Sequence, residues 1–201
     1  RYARDSSESL LRAYRLAIKL LVMVALPVAT IGWGLADVLV AILGGPQYLP
    51  QSANILRVMI WYMPIGFINS VTQYVLIALN QQRYLTRAFA WGLAFSFGAN
   101  LAFIHLAGFM ASAYVMVAAE LVLLIPFYLG VRRYLARIPW VAILWRLVIS
   151  AVPLIGLPLV LPDAQRPLAL FLGLLCYVVG LAVLGVFDRE ERQVLARALP
   201  A

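Results

Sequence analysis

The sequence has few charged residues, and it has only one cysteine and one histidine. Charged side chains make up 12% of its 201 residues, whereas soluble globular domains have about 25%. Because Cys176 is the single cysteine, a disulfide framework within this chain is excluded, and we expect Cys176 to pack inside the last apolar run. His105 has no second histidine or cysteine near it, so we expect no zinc site.

The acidic residues are also too scattered for a catalytic centre of a familiar kind. Paired aspartates that could hold a metal-bound diphosphate are missing from the sequence, and so is an H-E-x-x-H helix. We therefore predict no catalytic residue, no metal and no cofactor. A membrane-embedded enzyme and a non-transporting membrane scaffold remain distant alternatives.

Long apolar runs dominate the chain instead. Hydrophobic residues make up 65% of the sequence, and six runs each have about the 20 residues that a spanning helix needs. Since a helix satisfies its own backbone hydrogen bonds in lipid, we predict an all-α polytopic bundle of six transmembrane helices in a lipid bilayer. The predicted lobe covers residues 1–201, with spans at 16–43, 58–79, 88–107, 109–129, 138–161 and 167–187 and a cytoplasmic tail at 188–201.

The net charge of +8 is distributed unevenly between the two sides of the predicted bundle. The opposite-side connections contain only Arg166, with Arg57 just inside the next helix. The positive-inside rule therefore predicts that both termini face the cytoplasm of a cell membrane, and it gives no reason to expect nucleic acid as a partner. The basic residues on the predicted cytoplasmic side are Arg1 to Lys19, Arg83, Arg87, Arg132, Arg133, Arg137, Arg189, Arg192 and Arg197.

Four ionisable residues within or beside the predicted spans are candidates for substrate binding or gating. Glu120 lies near the middle of the fourth span, where a carboxylate costs roughly 2.5 to 3.5 kcal/mol. Asp37 and Arg57 either pair across the loop between the first two spans or extend separately to the interface. Arg146, two turns into the fifth span, either extends to the headgroups or binds phosphate through its planar guanidinium.

Uncharged polar residues and prolines add further candidates. Asn69 and Gln73 share one face of the second span, which suits either a water-filled cavity or an interhelical hydrogen bond. Asn100 precedes the short turn at His105 to Phe109, which brings its helix next to that of Glu120. Pro27 and Pro64 are hinge candidates, with a kink expected near Met23 to Pro27, although prolines are also common in membrane helices without a hinge role.

Small residues mark the faces of the third and last spans. Two small-residue stripes, Ala88-Gly92-Ser96-Asn100 and Ala90-Ala94-Gly98-Ala102, predict that the third span lies between two other helices. The last span has no charge until Asp188, and we expect it to be peripheral and lipid-facing.

The hairpin HLAGFMASAYVMVAAELVLL, with its Arg132-Arg133 stop, resembles the "fG-x-x-GAA-x-A…E" hairpin of polysaccharide-export flippases. These flippases form the Wzx-like branch of the multidrug/oligosaccharidyl-lipid/polysaccharide (MOP) exporter superfamily. The stretch from Leu21 to Met59 is similar to another segment of that family. The matching positions are Gly108, Ala111, Ala113, Ala119 and Glu120 in the hairpin, and Pro27, Asp37, Gly44, Tyr48 and Arg57 upstream.

The resemblance implies that this chain is the C-terminal lobe of a two-lobe transporter whose partner is a missing N-terminal lobe. It further implies alternating access, in which the lobes move a polyprenyl-diphosphate-linked oligosaccharide between leaflets for polysaccharide or O-antigen export. Cationic side chains would hold the diphosphate. A multidrug or toxin exporter of the same superfamily is the alternative.

Overall fold

A computed structural model describes residues 2–162 and 165–186. It has eight α-helices, and the described part of the chain contains no strand. The helices are α1 (Tyr2–Gly34), α2 (Ala36–Leu43), α3 (Gln51–Met59), α4 (Tyr62–Ala78), α5 (Gln82–Ala107), α6 (Phe109–Tyr134), α7 (Trp140–Val160) and α8 (Arg166–Val183), with a short 3-10 helix at Pro46–Tyr48.

Six helical segments are long and apolar enough to cross a membrane, which confirms the predicted class of fold. Their boundaries differ from the predicted ones by several residues, and the expected tail at 188–201 lies outside the described residues. The segments are Glu8–Gly34, Gln51–Ala78, Gln82–Leu106, Phe109–Tyr134, Trp140–Val160 and Arg166–Val183.

The chain forms two compact units. The first unit, Arg1–Ile138, contains α1 to α6, and the second, Pro139–Ala201, contains α7 and α8. In the first unit α4 packs against both α1 and α6, while α5 packs mainly against α6. This arrangement puts α4 between α1 and α6, and the polar contacts of Glu120 described below involve it.

The first predicted span is interrupted after Pro27 rather than at it. Helix α1 runs unbroken through Pro27 to Gly34, and the interruption falls at Leu35, where ψ is 16°. The expected kink near Met23 to Pro27 is therefore not where the helix breaks. Two glycines, Gly32 and Gly34, directly precede the break, and glycine is the poorest helix former after proline.

Pro64 has the effect on its helix that its chemistry predicts. Proline lacks a backbone N–H, so the carbonyl of Ile60 cannot form the usual bond to residue 64. It accepts instead from the N–H of Met63 at 3.1 Å, and α3 and α4 are separate helices on either side of this turn. The break adjoins the end of α1, because a Cβ on Gly32 would lie 2.9 Å from Ile60 Cδ1.

A single residue, Gly108, connects α5 to α6 and forms the turn of their hairpin. Gly108 has a φ of +56°, a backbone conformation that glycine adopts readily, and α6 begins at the next residue. Along the hairpin, a Cβ on Gly92 would lie 2.7 Å from Leu123 Cδ2, so the two helices approach closely there. The rings of Phe89 and Phe127 meet edge to face at 5.5 Å.

Only one of the two small-residue stripes on α5 has a helix beside it in the described structure. The stripe that contains Ala88 and Gly92 packs on α6, whereas Ala90, Ala94 and Gly98 are exposed, and so is Ala102. The prediction that this helix lies between two others is therefore wrong for the described chain.

In the second unit, the glycines of α8 face α7. A Cβ on Gly173 would lie 2.9 Å from Leu154 Cα, and one on Gly180 would lie 3.2 Å from Ser150 Oγ. The last helix is thus exposed on one side only, because its glycine side is covered by α7. Cys176, which we expected to be buried, lies on its exposed side.

Candidate functional site

Glu120 is held by a polar contact between α4 and α6. The Nδ2 group of Asn69 donates to Glu120 Oε2 at 2.5 Å and to the backbone carbonyl oxygen of Glu120 at 2.9 Å. The Tyr62 side chain lies near enough to the carboxylate to interact with it electrostatically. We call Glu120, Asn69 and Tyr62 the Glu120 cluster. A carboxylate at this depth is therefore partnered from a neighbouring helix.

Asn69 contributes an unused acceptor to the cluster. Asn69 is only 4% exposed, and its Oδ1 atom has no hydrogen-bond partner in the described structure. A buried acceptor without a donor costs about 1 to 3 kcal/mol. The cluster thus places an unpaired amide oxygen on the same side chain that binds the Glu120 carboxylate. Oxygen atoms of both types accept hydrogen bonds and bind hard cations, and the carboxylate can also take up a proton.

A glycine gives Tyr62 the room it occupies. Gly66 lies one helical turn after Tyr62, and a Cβ there would lie 3.0 Å from Tyr62 Cε1. Because any larger residue would press on the ring, Gly66 allows the tyrosine to lie along α4 towards Glu120. Sequence analysis missed Tyr62. The available signal was a tyrosine four residues before a glycine, in a span that faces a half-buried carboxylate.

Helix α1 holds α4 from the other side. Tyr14, which is 1% exposed, forms a 2.8 Å hydrogen bond with Thr72 Oγ1. Thr72 also donates to the carbonyl of Ile68 at 2.6 Å. Since Thr72 follows Asn69 by one turn, this contact fixes the part of α4 that carries the cluster. Gln73, the other polar candidate on this helix, is half-buried.

Asp37 and Arg57 form a second polar group, on α2 and α3. Their side chains make an ion pair, and Arg57 Nη1 also donates to Asn54 Oδ1 at 2.8 Å. The Asp37 side chain is 46% exposed. From the sequence, Asp37 and Arg57 could either pair across the loop or extend separately to the interface. In the structure they pair across the loop between α2 and α3.

Asn100 and Arg146 bind local partners. Asn100 accepts from Ser112 Oγ at 2.8 Å and donates to the carbonyl of Ser96, so it links α5 to α6 away from the Glu120 cluster. In the second unit, Arg146 Nη1 donates to the carbonyl of Gly185 at 2.7 Å, just beyond the end of α8. Arg146 therefore caps a helix end in this state, and its guanidinium is partly occupied.

A metal centre has no ligand set among the residues that the structure describes. Within 2–162 and 165–186, no group of three or more His, Cys, Asp or Glu side chains could hold a metal ion. The cluster instead has one carboxylate, one amide and one phenol, which suits exchange of a proton or of a weakly held cation.

A family model described as MatE matches residues 1–104, just over half of the chain. The matched region contains Tyr62 and Asn69 but not Glu120. No curated protein and no solved structure matches the chain.

Proposed function

Because this chain belongs to the MatE family, we propose that it is one lobe of a membrane exporter that works by alternating access. MatE proteins are transporters of the MOP superfamily, and the chain has six apolar helices of spanning length. The missing partner would be a second, N-terminal lobe. The part-buried contact between Glu120 and Asn69 is the observation that carries the proposal.

In this proposal the charge of Glu120 controls how α4 and α6 are joined. The ionised carboxylate accepts from Asn69 Nδ2, as observed. A protonated carboxyl would instead have an O–H to donate, and the amide could receive it by turning its unpaired Oδ1 towards Glu120. Gain of a proton, or of a cation between the two oxygens, would thus exchange the contacts that hold the helices. Ionisable groups inside membranes commonly serve such relays.

We further propose that the cargo is a polyprenyl-diphosphate-linked oligosaccharide. Support comes from the hairpin around Gly108 and Glu120, whose residues resemble those of polysaccharide flippases. Of the basic candidates in the spans, Arg57 suits a diphosphate best. The Asp37 side chain is 46% exposed and that of Arg57 is 24% exposed, and an ion pair open to solvent contributes only about 0 to 1 kcal/mol. A diphosphate could therefore replace Asp37 at little cost, whereas Arg146 is committed to a helix end.

A multidrug or toxin exporter is the second candidate, since the MatE match fits it equally well. The two candidates differ in cargo. A host that lacks its own copy of the gene should lose surface polysaccharide under the first proposal. Under the second it should keep its polysaccharide and become sensitive to toxic organic cations.

The experiment restores the intact protein to such a host as wild type or as one of two variants. Glu120→Gln removes the charge and keeps the shape, whereas Ser112→Ala removes a neutral contact elsewhere in the hairpin. We expect Glu120→Gln to abolish export at an unchanged membrane level of protein, and Ser112→Ala to retain export. Full export by Glu120→Gln would refute the role of the carboxylate. If deletion of the gene lowers tolerance to toxic cations and leaves the surface polysaccharide intact, the drug exporter is the correct function and the flippase is not.

A further inference from the structure

Exposed arginines lie at the end of the α5–α6 hairpin farthest from Gly108, four of them within the two helices and Arg137 just after α6. These residues, which we call the arginine surface, are all exposed: Arg83, Arg87, Arg132, Arg133 and Arg137. The hairpin contains no lysine, since Lys19 in α1 is the only lysine of the whole sequence. Arginine differs from lysine in presenting a planar fork of N–H donors that matches the oxygens of a phosphate.

Nothing in the described structure neutralises this surface. Between residues 80 and 138 the sequence has one acidic residue, Glu120, and that carboxylate is bound by Asn69. Within residues 2–162 and 165–186, none of the five arginines forms an ion pair with a carboxylate. Like charges so close together repel one another, so an anion from outside the chain would be held favourably.

Two tyrosines orient one of the arginines. The guanidinium carbon of Arg133 lies 5.4 Å from the centroid of the Tyr134 ring. Tyr134 meets Tyr84 edge to face at 5.8 Å, and the Tyr84 hydroxyl donates to the carbonyl of Pro126 at 2.6 Å. A guanidinium held over a ring keeps its N–H groups available for an oxyanion.

A glycine makes this stack possible. A Cβ on Gly130 would lie 2.6 Å from Tyr84 Cε1, so the tyrosine ring occupies space that only glycine leaves open. The arginine surface is therefore built on a packed aromatic support across both helices. It differs in this respect from a row of solvated charges.

The surface also lies at the right depth for lipid headgroups. Each of these arginines is more than twenty residues from Gly108, which is about 30 Å or more along a helix axis at 1.5 Å per residue. The hydrocarbon core of a bilayer is about 30 Å thick. If the hairpin spans the bilayer from its turn, these side chains reach the headgroup layer, whichever face of the membrane that is.

We propose that the arginine surface binds the phosphodiester headgroup of an anionic phospholipid. The charge, the fork geometry of arginine and the depth all match that ligand. A headgroup on this surface would hold the outer helix of the hairpin, α5, whose remaining faces are largely exposed. This binding is an equilibrium property of the protein in a bilayer, and it does not depend on what the protein exports.

The test uses the intact protein in nanodiscs made from equal parts of phosphatidylglycerol and phosphatidylcholine. Native mass spectrometry counts the lipids of each kind that remain bound after release. We expect wild type to retain phosphatidylglycerol in preference. Arg133→Gln should reduce that retention about fivefold, the effect of one basic side chain near an anionic surface. Arg133→Lys should retain part of it, because the charge remains while the fork and the ring contact are lost.

The control is Arg12→Gln, which removes an exposed arginine from α1, outside the arginine surface. It should leave retention unchanged. Equal retention of the two lipids by wild type would overturn the proposal, and so would an equal loss in Arg12→Gln, which would mean diffuse attraction without a site. Displacement of phosphatidylglycerol by millimolar inorganic phosphate would also overturn it, because the ligand would then be a soluble anion.

Discussion

Replacing Asn69 with leucine would remove the amide that donates to the Glu120 carboxylate, and the size of the effect can be worked out. A hydrogen bond to a charged group contributes about 1.5 to 3 kcal/mol, whereas side-chain hydrogen bonds between membrane helices average about 0.6. Leucine also removes the unpaired Oδ1 of Asn69, which recovers about 1 to 3 kcal/mol. Because these terms oppose each other, the single variant is a poor measure of the contact.

A double-mutant cycle isolates the contact from the other terms. The cycle uses Glu120→Leu, because Glu120→Gln would keep a side-chain oxygen that accepts from Asn69. We expect Asn69→Leu and Glu120→Leu to be coupled by about 1 to 2 kcal/mol, measured as unfolding free energies of the intact protein in bicelles. Asn100→Leu with Ser112→Ala provides the matched cycle, since that pair is a neutral hydrogen bond of 2.8 Å between α5 and α6. It should give about 0.6 kcal/mol.

Comparing the two coupling energies tests whether the contact between Asn69 and Glu120 is strengthened by the charge of the carboxylate. A coupling energy for Asn69 and Glu120 no larger than that of the neutral pair would contradict the charge-assisted contact. The carboxylate would then be solvated or paired elsewhere in the folded protein, and the proposed coupling of charge to helix contacts would lose its basis.

Two further predictions concern stability. Asp37→Asn with Arg57→Gln should show a coupling of only about 0.2 to 1 kcal/mol that shrinks in high salt, because the Asp37 side chain is 46% exposed; a salt-independent coupling above this range would argue that the pair is buried. Gly173→Ala should lower the unfolding free energy by about 1 to 3 kcal/mol, since its Cβ would lie 2.9 Å from Leu154 Cα. Gly156→Ala is the control, because nothing lies within 4 Å of a Cβ there, and equal thermal shifts in the two variants would contradict the close helix approach.

The helical class of the fold could be predicted because it depends on one strong signal. Runs of about 20 apolar residues have few alternatives to a spanning helix, and the α5–α6 turn at Gly108 follows from the only glycine between two such runs. Boundaries were harder to predict. Pro64 removes one backbone donor, which fixes a break nearby, but the break at Leu35 depends on two glycines and on the packing of Gly32 against Ile60.

The site was predictable in its residue types but not in its pairings. Sequence alone identifies Glu120 as costly in lipid and Asn69 as a polar residue on a helix face. Which of them meet depends on how α4 rotates against α6, and that is set by non-polar packing and by the Tyr14 to Thr72 hydrogen bond. For the same reason, the sequence predicts how deep Arg146 lies in its span but not that it binds the carbonyl of Gly185.

The interruptions at Leu35 and at Ile60 have a mechanical consequence for the segment between them. Helices α2 and α3 are joined to each other by the Asp37–Arg57 pair, and each is attached to the longer helix beside it through one irregular turn. Torsion at these two turns disturbs fewer intrahelical bonds than bending a continuous helix would. Movement of this segment is therefore concentrated at two adjacent joints, one of which directly precedes Tyr62 of the Glu120 cluster.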